Sequence, residues 1–222
     1  MILDNSKLII RQAELSDAEF IATTIIEAEK SGTDKLGSAN YFEITEEEYK
    51  NYLVQMLEEE VDGCEISLSS FVVAEYNGEP VAARGGWLEC DNEDNMSSAI
   101  LKSNLYGYVL PKENLVKGAK KHDIVKDIQI EREPGTYQLE NSFTKAAFRG
   151  NHIMGMLDKF HIDNAIEKGA KKIQAHVFLN NEQSLRACER SGFTIVKQYI
   201  STHPLTKILY PDNTMVLLER YL

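Results

Sequence analysis

The stretch from residue 144 to 193 restricts the possible folds of this chain more than any other part. An apolar, strand-like segment over 137–145 runs into the turn Phe148-Arg149-Gly150-Asn151-His152. A helix over 150–168 follows and closes at Gly169. A strand over 172–178, an Asn at 181 and a helix over 181–191 then lead to Gly192-Phe193. Strands alternating with helices at this spacing predict a mixed α/β sheet. The junction at Arg149 and Gly150 also has a chemical meaning. The first N–H groups of a helix have no intrahelical acceptor and carry partial positive charge, so a strand-to-helix turn can hold a phosphate. Residues 149–155 would offer about five such donors to a pyrophosphate, and Gly150 and Gly155 leave room for its approach.

The remaining segments fit around this unit. Residues 8–11 read as a strand. Ser16 is a plausible N-cap for a helix over 17–30, with Glu19 completing a capping box and Phe20, Thr24, Ile25 and Ala28 at helical spacing. Residues 31–40, rich in Gly and Ser, read as loop. Thr45 and Glu48 form a second capping box, ahead of a buried stripe of Tyr49, Tyr52, Leu53, Met56 and Leu57. Strands over 71–76 and 81–87 flank Asn77-Gly78, a strong hairpin signal because both turn residues accept positive φ. Pro80 has no N–H for a ladder and belongs at a strand start or edge. Residues 90–134 are the least patterned part, partly helical at best, and Pro134-Gly135 ends them. Strands over 193–203 and 214–221, with a loop at 211–213, complete one domain carrying an insertion over about 90–134.

Composition excludes several classes. The net charge of -11 disfavours nucleic acid, whose phosphates require clustered Lys and Arg. The acidic runs 46–48 and 58–60 read either as a solvated helix face or as a cation-attracting rim. Cys64, Cys90 and Cys188 form no Cys-x-x-Cys pair, and their odd number argues against a disulfide framework. No apolar run reaches the roughly 18 residues needed to cross a bilayer, and the first residues lack the pattern of a signal peptide. A cytoplasmic setting without membrane association is the expectation. His152 and His161 fall on opposite helix faces, and His122, His176 and His203 lack partners at ligand spacing, so no metal site is expected. There is no Walker A sequence and no Ser or Cys nucleophile signature.

The order of strand, Arg149 turn, helix ending at Gly169, strand, Asn181, helix and Gly192-Phe193 resembles the GNAT superfamily of acyl-CoA-dependent N-acyltransferases. The resemblance covers nearly the whole chain outside 90–134. It departs from the family pattern at His152 and Met154, where the family has Gly and Gly or Ala, and at Cys188, where it has Tyr. The resemblance implies a mixed, mostly antiparallel sheet flanked by helices, with an enlarged insertion after the third strand. It implies direct transfer of an acetyl group from acetyl-CoA to a primary amine of a small molecule, in a ternary complex. The cofactor's pyrophosphate would lie on Arg149, Gly150, Asn151, His152, Ile153, Met154 and Gly155. The amides of Phe143, Thr144 and Lys145 would hold the thioester carbonyl and its oxyanion.

An alkylammonium has a pKa of about 10, so a base or a water chain must take its proton. Glu140 stands where the family often places a Glu and reads as that base or as a hydrogen-bonded strand residue; Tyr137 and Glu89 are weaker candidates. Cys188, or Tyr199 on the following strand, would protonate the departing thiolate, although Cys188 also reads as a small buried hydrophobe. Asn181 reads as a helix N-cap, as a contact to the pantetheine arm, or both. Two alternatives share this fold: a non-catalytic acyl-CoA-binding or sensor domain, and a protein N-terminal or lysine acetyltransferase. The apolar C-terminal strand 214–222 could pair two subunits in a homodimer.

Overall fold

The computed structural model describes residues 4–59, 61–90 and 96–222. In chain order the elements are β1 (Leu8–Gln12), α1 (Ala18–Lys30), α2 (Gly37–Phe42), α3 (Glu46–Glu58), β2 (Phe71–Tyr76) and β3 (Glu79–Leu88). Then come α4 (Ser98–Val109), α5 (Lys112–Ala119), α6 (His122–Val125), β4 (Tyr137–Thr144), α7 (Ile153–Glu167) and β5 (Lys172–Phe178). The chain ends with α8 (Glu182–Arg190), β6 (Thr194–Ile200), α9 (Thr206–Leu209) and β7 (Thr214–Tyr221). The strands form one seven-stranded sheet in the order β1-β2-β3-β4-β5-β7-β6. Every neighbouring pair is antiparallel except β4 and β5. Parallel neighbours need a crossover connection, and α7 supplies it.

The two faces of the sheet follow from strand alternation. On β2, Phe71 and Val73 face α1 and α3, where they join Ile21, Ile25, Leu53 and Met56 in one buried cluster. Val72 and Ala74 point the other way, onto Ile153 and Leu157 of α7. Farther along the sheet, Tyr137, Leu139 and Ile173 pack on Ala165 of α7 and on Leu185 and Cys188 of α8. Helices α1 and α3 therefore cover one face, and α7 and α8 cover the other.

Several sequence expectations appear in the coordinates with their physical causes. Asn77 and Gly78 have φ of 54° and 85°, as the two-residue hairpin between β2 and β3 requires. Thr45 Oγ1 accepts the Glu48 N–H at 3.1 Å, and Glu48 Oε2 accepts the Thr45 N–H at 2.7 Å, closing the capping box of α3. Gly169 and Gly192 both take positive φ just past their helices.

Other expectations are corrected. Helix α1 begins at Ala18, and the box at its start joins Glu14 to Asp17, not Ser16 to Glu19. Asp17 is held there because Arg11 grips both of its oxygens, at 2.6 and 3.0 Å. The stretch 31–40 is not all loop: Leu36, Ala39 and Phe42 are buried at three-residue spacing and draw residues 37–42 into α2. Residues 98–125 form three helices, so the insertion is more ordered than its pattern indicates. Helix α7 starts three residues later than expected, because Gly150 and His152 take positive φ. Strand β6 stops at Ile200 rather than continuing to 203. The C-terminal strand β7 lies between β5 and β6, so the free sheet edge on that side is β6.

Candidate active site

The site begins where two strands part. Strands β4 and β5 are paired only at Tyr137↔Ile173 and Gln138↔Gln174, although β4 continues to Thr144 and β5 to Phe178. The cause lies on the other side of β4. Its register against β3 shifts between Arg84↔Ser142 and Gly85↔Glu140, which leaves Asn141 as an extra residue with φ of 47°. A bulge bends the strand that carries it, and β4 follows β3 away from β5. Gly85 permits this close approach, since a Cβ there would lie 3.2 Å from the Glu140 carbonyl oxygen.

The bulge also sorts the backbone donors. Lys145 N–H donates to the Val81 carbonyl at 2.9 Å. Amides alternate sides along an antiparallel pair, so Phe143 N–H faces β3 as well. Ser142 and Thr144 turn theirs toward the gap. Of the three amides expected to meet a carbonyl in the gap, Thr144 is placed for it, and Ser142 is an addition that requires knowledge of the bulge.

At the far end of β4 the chain turns into α7. Arg149 Nε donates to the Thr144 carbonyl at 3.1 Å, and Asn151 Nδ2 donates to the Phe148 carbonyl at 3.1 Å. These bonds fix the turn. The N–H groups of Gly150, Asn151, His152, Ile153, Met154 and Gly155 have no backbone acceptor among the described residues. They cluster at the positive end of a 15-residue helix. His152 occupies the left-handed region at φ 58°, which explains why a glycine suits this position. Its side chain is exposed, whereas Ile153 is buried and Met154 half-buried against Val72, Ala74, Val81 and Leu157. Met154 also lines the cavity at the β4–β5 gap.

The gap between β4 and β5 opens into a cavity of about 810 Å³. Glu29 of α1, Tyr49 of α3, Lys102 and Tyr106 of α4, and Arg132 form part of its wall on the α1 and α3 face. The insertion is therefore a wall of the cavity. A buried ionic cluster lies where the strands separate. Arg132 donates to both oxygens of Glu140, at 2.9 and 3.2 Å, and to Glu65 Oε1 at 3.2 Å; Lys102 Nζ lies 2.9 Å from the same Glu65 oxygen. Burial alone would raise the Glu140 carboxyl, but Arg132 and His176 outweigh it and hold it well below the usual carboxylate range. Glu140 is thus a firmly ionised group with low proton affinity. Glu29 is in the opposite position: desolvation raises its carboxyl, and its Oε1 accepts the Ser38 N–H.

The other sequence candidates separate. Cys188 reaches the cavity wall from α8, and burial pushes its thiol up. Asn181 caps α8 through Oδ1, accepting the Ser184 N–H at 3.2 Å, and also lines the cavity, so its two readings coexist geometrically. Tyr199 is buried among Ile124, Val125, Phe178 and Met215 and is not itself a lining residue of the cavity. Glu89 is buried and occupied by Ser98 and by the Trp87 Nε1–H at 3.1 Å. Tyr137 points to the α7 side, with its hydroxyl 2.8 Å from His161 Nδ1, and burial raises it to about 12. Among the described residues no group of His, Cys, Asp and Glu could hold a metal ion.

One residue was missed. His176 Nδ1 lies 3.2 Å from Glu140 Oε1, and its imidazole side chain is 1% exposed. The signal is the pair of polar positions on each strand, Gln138 and Glu140 on β4 and Gln174 and His176 on β5, alternating with Tyr137, Leu139, Ile173, Ala175 and Val177. Reading it requires the β4–β5 register.

The comparisons agree with this geometry. Residues 38–193 match the acetyltransferase (GNAT) family. No curated protein matches the chain at a significant level. Among solved structures, the chain is similar to an N-acetyltransferase from Staphylococcus aureus Mu50, with TM-score 0.67 and 16% identity over 96% of this chain and 100% of that one. A Drosophila melanogaster polyamine N-acetyltransferase that forms N-acetylagmatine aligns with TM-score 0.57 and 13% identity, over 97% and 100% of the two chains. The yncA protein of Salmonella typhimurium, with its cofactor acetyl-CoA, aligns with TM-score 0.52 and 13% identity, over 97% and 94%. With a parted parallel pair, an amide-lined turn and a family match over most of its length, this chain belongs to the GNAT family of acetyltransferases, which use acetyl-CoA.

Proposed function

We propose that this acetyltransferase moves the acetyl group of acetyl-CoA directly to a primary amine of a small molecule, within a ternary complex. The observation that carries this reading is the enclosure of the acceptor side. On the side away from α7 and α8 the cavity is walled by α1, α3, α4 and Arg132, and its full volume of about 810 Å³ also takes in the space against α7 and α8. In this reading the amides of residues 150–155 take the pyrophosphate, and Asn181 borders the pantetheine arm. The Ser142 and Thr144 amides face the thioester carbonyl as its charge develops. Cys188 is the side chain nearest in role to a proton donor for the thiolate. The absence of an acyl-enzyme nucleophile from the sequence fits direct transfer.

A carboxyl in the wall that no basic side chain contacts, among the described residues, offers an acceptor to an ammonium group. Glu65 and Glu140 are paired with Lys102 and Arg132, and Asp158 sits 3.2 Å from Arg84, which leaves Glu29 without a basic side chain in contact. The polyamine and agmatine acceptors of the Drosophila enzyme make such amines the first to test. The experiment is a screen of amines, amino acids, aminoglycosides and polyamines for release of free CoA thiol, with acetyl-CoA binding followed by calorimetry. Amine-dependent CoA release by a subset of small amines is expected. Release only with peptide N-termini or protein lysines would reject the small-molecule reading, and binding without release by any acceptor would reject catalysis.

A further inference from the structure

We propose that His176 is the general base that deprotonates the acceptor ammonium, with Glu140 acting on it as a positioning residue. The proposal rests on the amine-acceptor reading above and names a residue for its proton transfer. The paired part of β4 and β5 ends at Gln138↔Gln174, where Gln138 Nε2 donates to Gln174 Oε1 at 3.1 Å. Two residues on, along both strands, come Glu140 and His176. Side chains two apart share a face, so these two meet at the first position on that face beyond the backbone ladder. They are bridged by side chains alone, with Nδ1 3.2 Å from Glu140 Oε1. The next residue of β4 is the bulged Asn141, followed by the Ser142 amide that faces the gap.

This bridge sets the chemistry of the imidazole. Arg132 keeps Glu140 ionised, and an ionised carboxylate can only accept. In the neutral ring Nδ1 therefore carries the hydrogen, which leaves the lone pair on Nε2. Nε2 is buried and has no hydrogen-bond partner among the described residues, and His176 is part of the cavity wall. A buried, unpaired polar atom destabilises a fold. His176 lines the cavity, and a donor on a ligand there would give this atom its missing partner. Carboxylate, imidazole and reacting group in a row are the arrangement by which a base is oriented and its protonated form stabilised. The charged groups facing His176 are Glu140, then Arg132, with Glu65 and Lys102 behind them; from β7 its neighbour is the apolar Leu217.

The step balances. His176 Nε2 takes one proton from the ammonium. The freed nitrogen lone pair attacks the thioester carbon, a C–N bond forms, and the C–S bond breaks as the oxyanion collapses. The second nitrogen proton ends on the CoA sulfur, and His176 returns its own proton to water. Glu140 changes protonation at no stage, in keeping with its low proton affinity.

Two measurements test the assignment. The first is kinetic. His176→Asn keeps an N–H for Glu140 and removes the base. We expect kcat/KM for the amine to fall 10²-fold or more at pH 7, with less loss near pH 10, and acetyl-CoA affinity within twofold of wild type. Glu140→Gln should displace the acid limb of the pH–rate profile to lower pH, a change that loss of packing alone would not produce. A His176→Asn enzyme within threefold of wild type with the same pH profile overturns the proposal. The second measurement needs no acceptor: the ¹⁵N shifts of the His176 ring in the wild-type chain. A protonated Nδ1 and bare Nε2 support the assignment, and a protonated Nε2 overturns it. If no amine releases CoA, the acceptor reading fails on its own and the tautomer still decides on His176.

Discussion

His161 should make the fold sensitive to acid in a measurable way. It is buried at 1% exposure on the inner face of α7. Its Nε2 lies 3.0 Å from the Arg84 carbonyl oxygen and its Nδ1 2.8 Å from the Tyr137 hydroxyl. A carbonyl can only accept, so Nε2 carries the hydrogen and the Tyr137 O–H donates to Nδ1. A second proton on the ring would displace that hydroxyl hydrogen and bury a charge. Desolvation accordingly lowers the imidazole from 6.5 to about 4. The folded value lies below the unfolded one, so the unfolded state binds more protons. The contribution is fully present above pH 6.5 and is lost as pH falls toward 4. At 1.36 kcal/mol per unit, integration from pH 7.5 to 4.5 gives a loss of about 2.5 kcal/mol from this residue. The assay is urea unfolding at several pH values for wild type and for His161→Gln. The other titrating groups are common to both proteins, so the difference isolates the imidazole. We expect the wild type to lose about 2.5 kcal/mol more than the variant over this interval. A difference that stays flat within about 0.5 kcal/mol would show that the ring titrates alike in both states.

Three further perturbations address the packing around the parted strands. Gly86→Ala would set a Cβ 2.7 Å from His161 Nδ1 and 2.8 Å from Tyr137 Cε1, so we expect a loss of about 1–3 kcal/mol and a lower melting temperature; an unchanged melting curve would refute the close contact. Arg132→Gln leaves Glu65 and Glu140 buried without their shared partner, for an expected loss of about 3–5 kcal/mol in urea unfolding, partly recovered by adding Glu140→Gln; additive losses would refute the coupling. His152 has left-handed φ, so His152→Val should destabilise by about 1–2 kcal/mol while His152→Gly is neutral or stabilising; equal stabilities by calorimetry would refute the backbone assignment.

Much of the fold is local and could therefore be read from sequence. The Asn77-Gly78 hairpin, the Thr45 and Glu48 capping box, the Arg149 turn and the glycines at 169 and 192 are each set by residues within a few positions of one another. The insertion was hidden because its helices are not cleanly two-faced. In α4, Leu105 and Tyr106 are buried, yet Ile100 and Tyr108 are exposed at 51% and 74%, which blurs the period. Residues 37–42 were hidden by the Gly and Ser that begin them. In the candidate site, sequence points to the turn at 149–155 and to Glu140, Asn181 and Cys188, which line the cavity, but not to the contacts among side chains. The Glu140 and His176 contact spans 36 positions and depends on the register of a parallel pair only two residues long. Arg132 was hidden too, because its pairing with Glu65 spans 67 positions. Those same contacts give Glu140 a partner that no sequence pattern supplies, and they lower its affinity for a proton.

The opening between β4 and β5 is itself a constraint on function. A sheet interior that gives up its ladder leaves N–H and C=O groups facing each other across a gap, and buried backbone groups need partners. Here the loss is localised. It begins after Gln138 and Gln174, is driven by one bulged residue with positive φ, and is permitted by Gly85, which leaves space for the Glu140 carbonyl. The adjoining side chains brace the edges of the gap without closing it: Arg132 fixes Glu140, and Glu140 reaches His176. What they leave open is a set of amides on one strand, a lone pair on the other, and a cavity on the far side. A flat thioester entering edge-on with its carbonyl toward β4 would complete the missing hydrogen bonds of the sheet. On the proposed function such a thioester would fill the interrupted ladder, so changes that straighten β4, such as deletion of Asn141, should close the gap while making the sheet more regular.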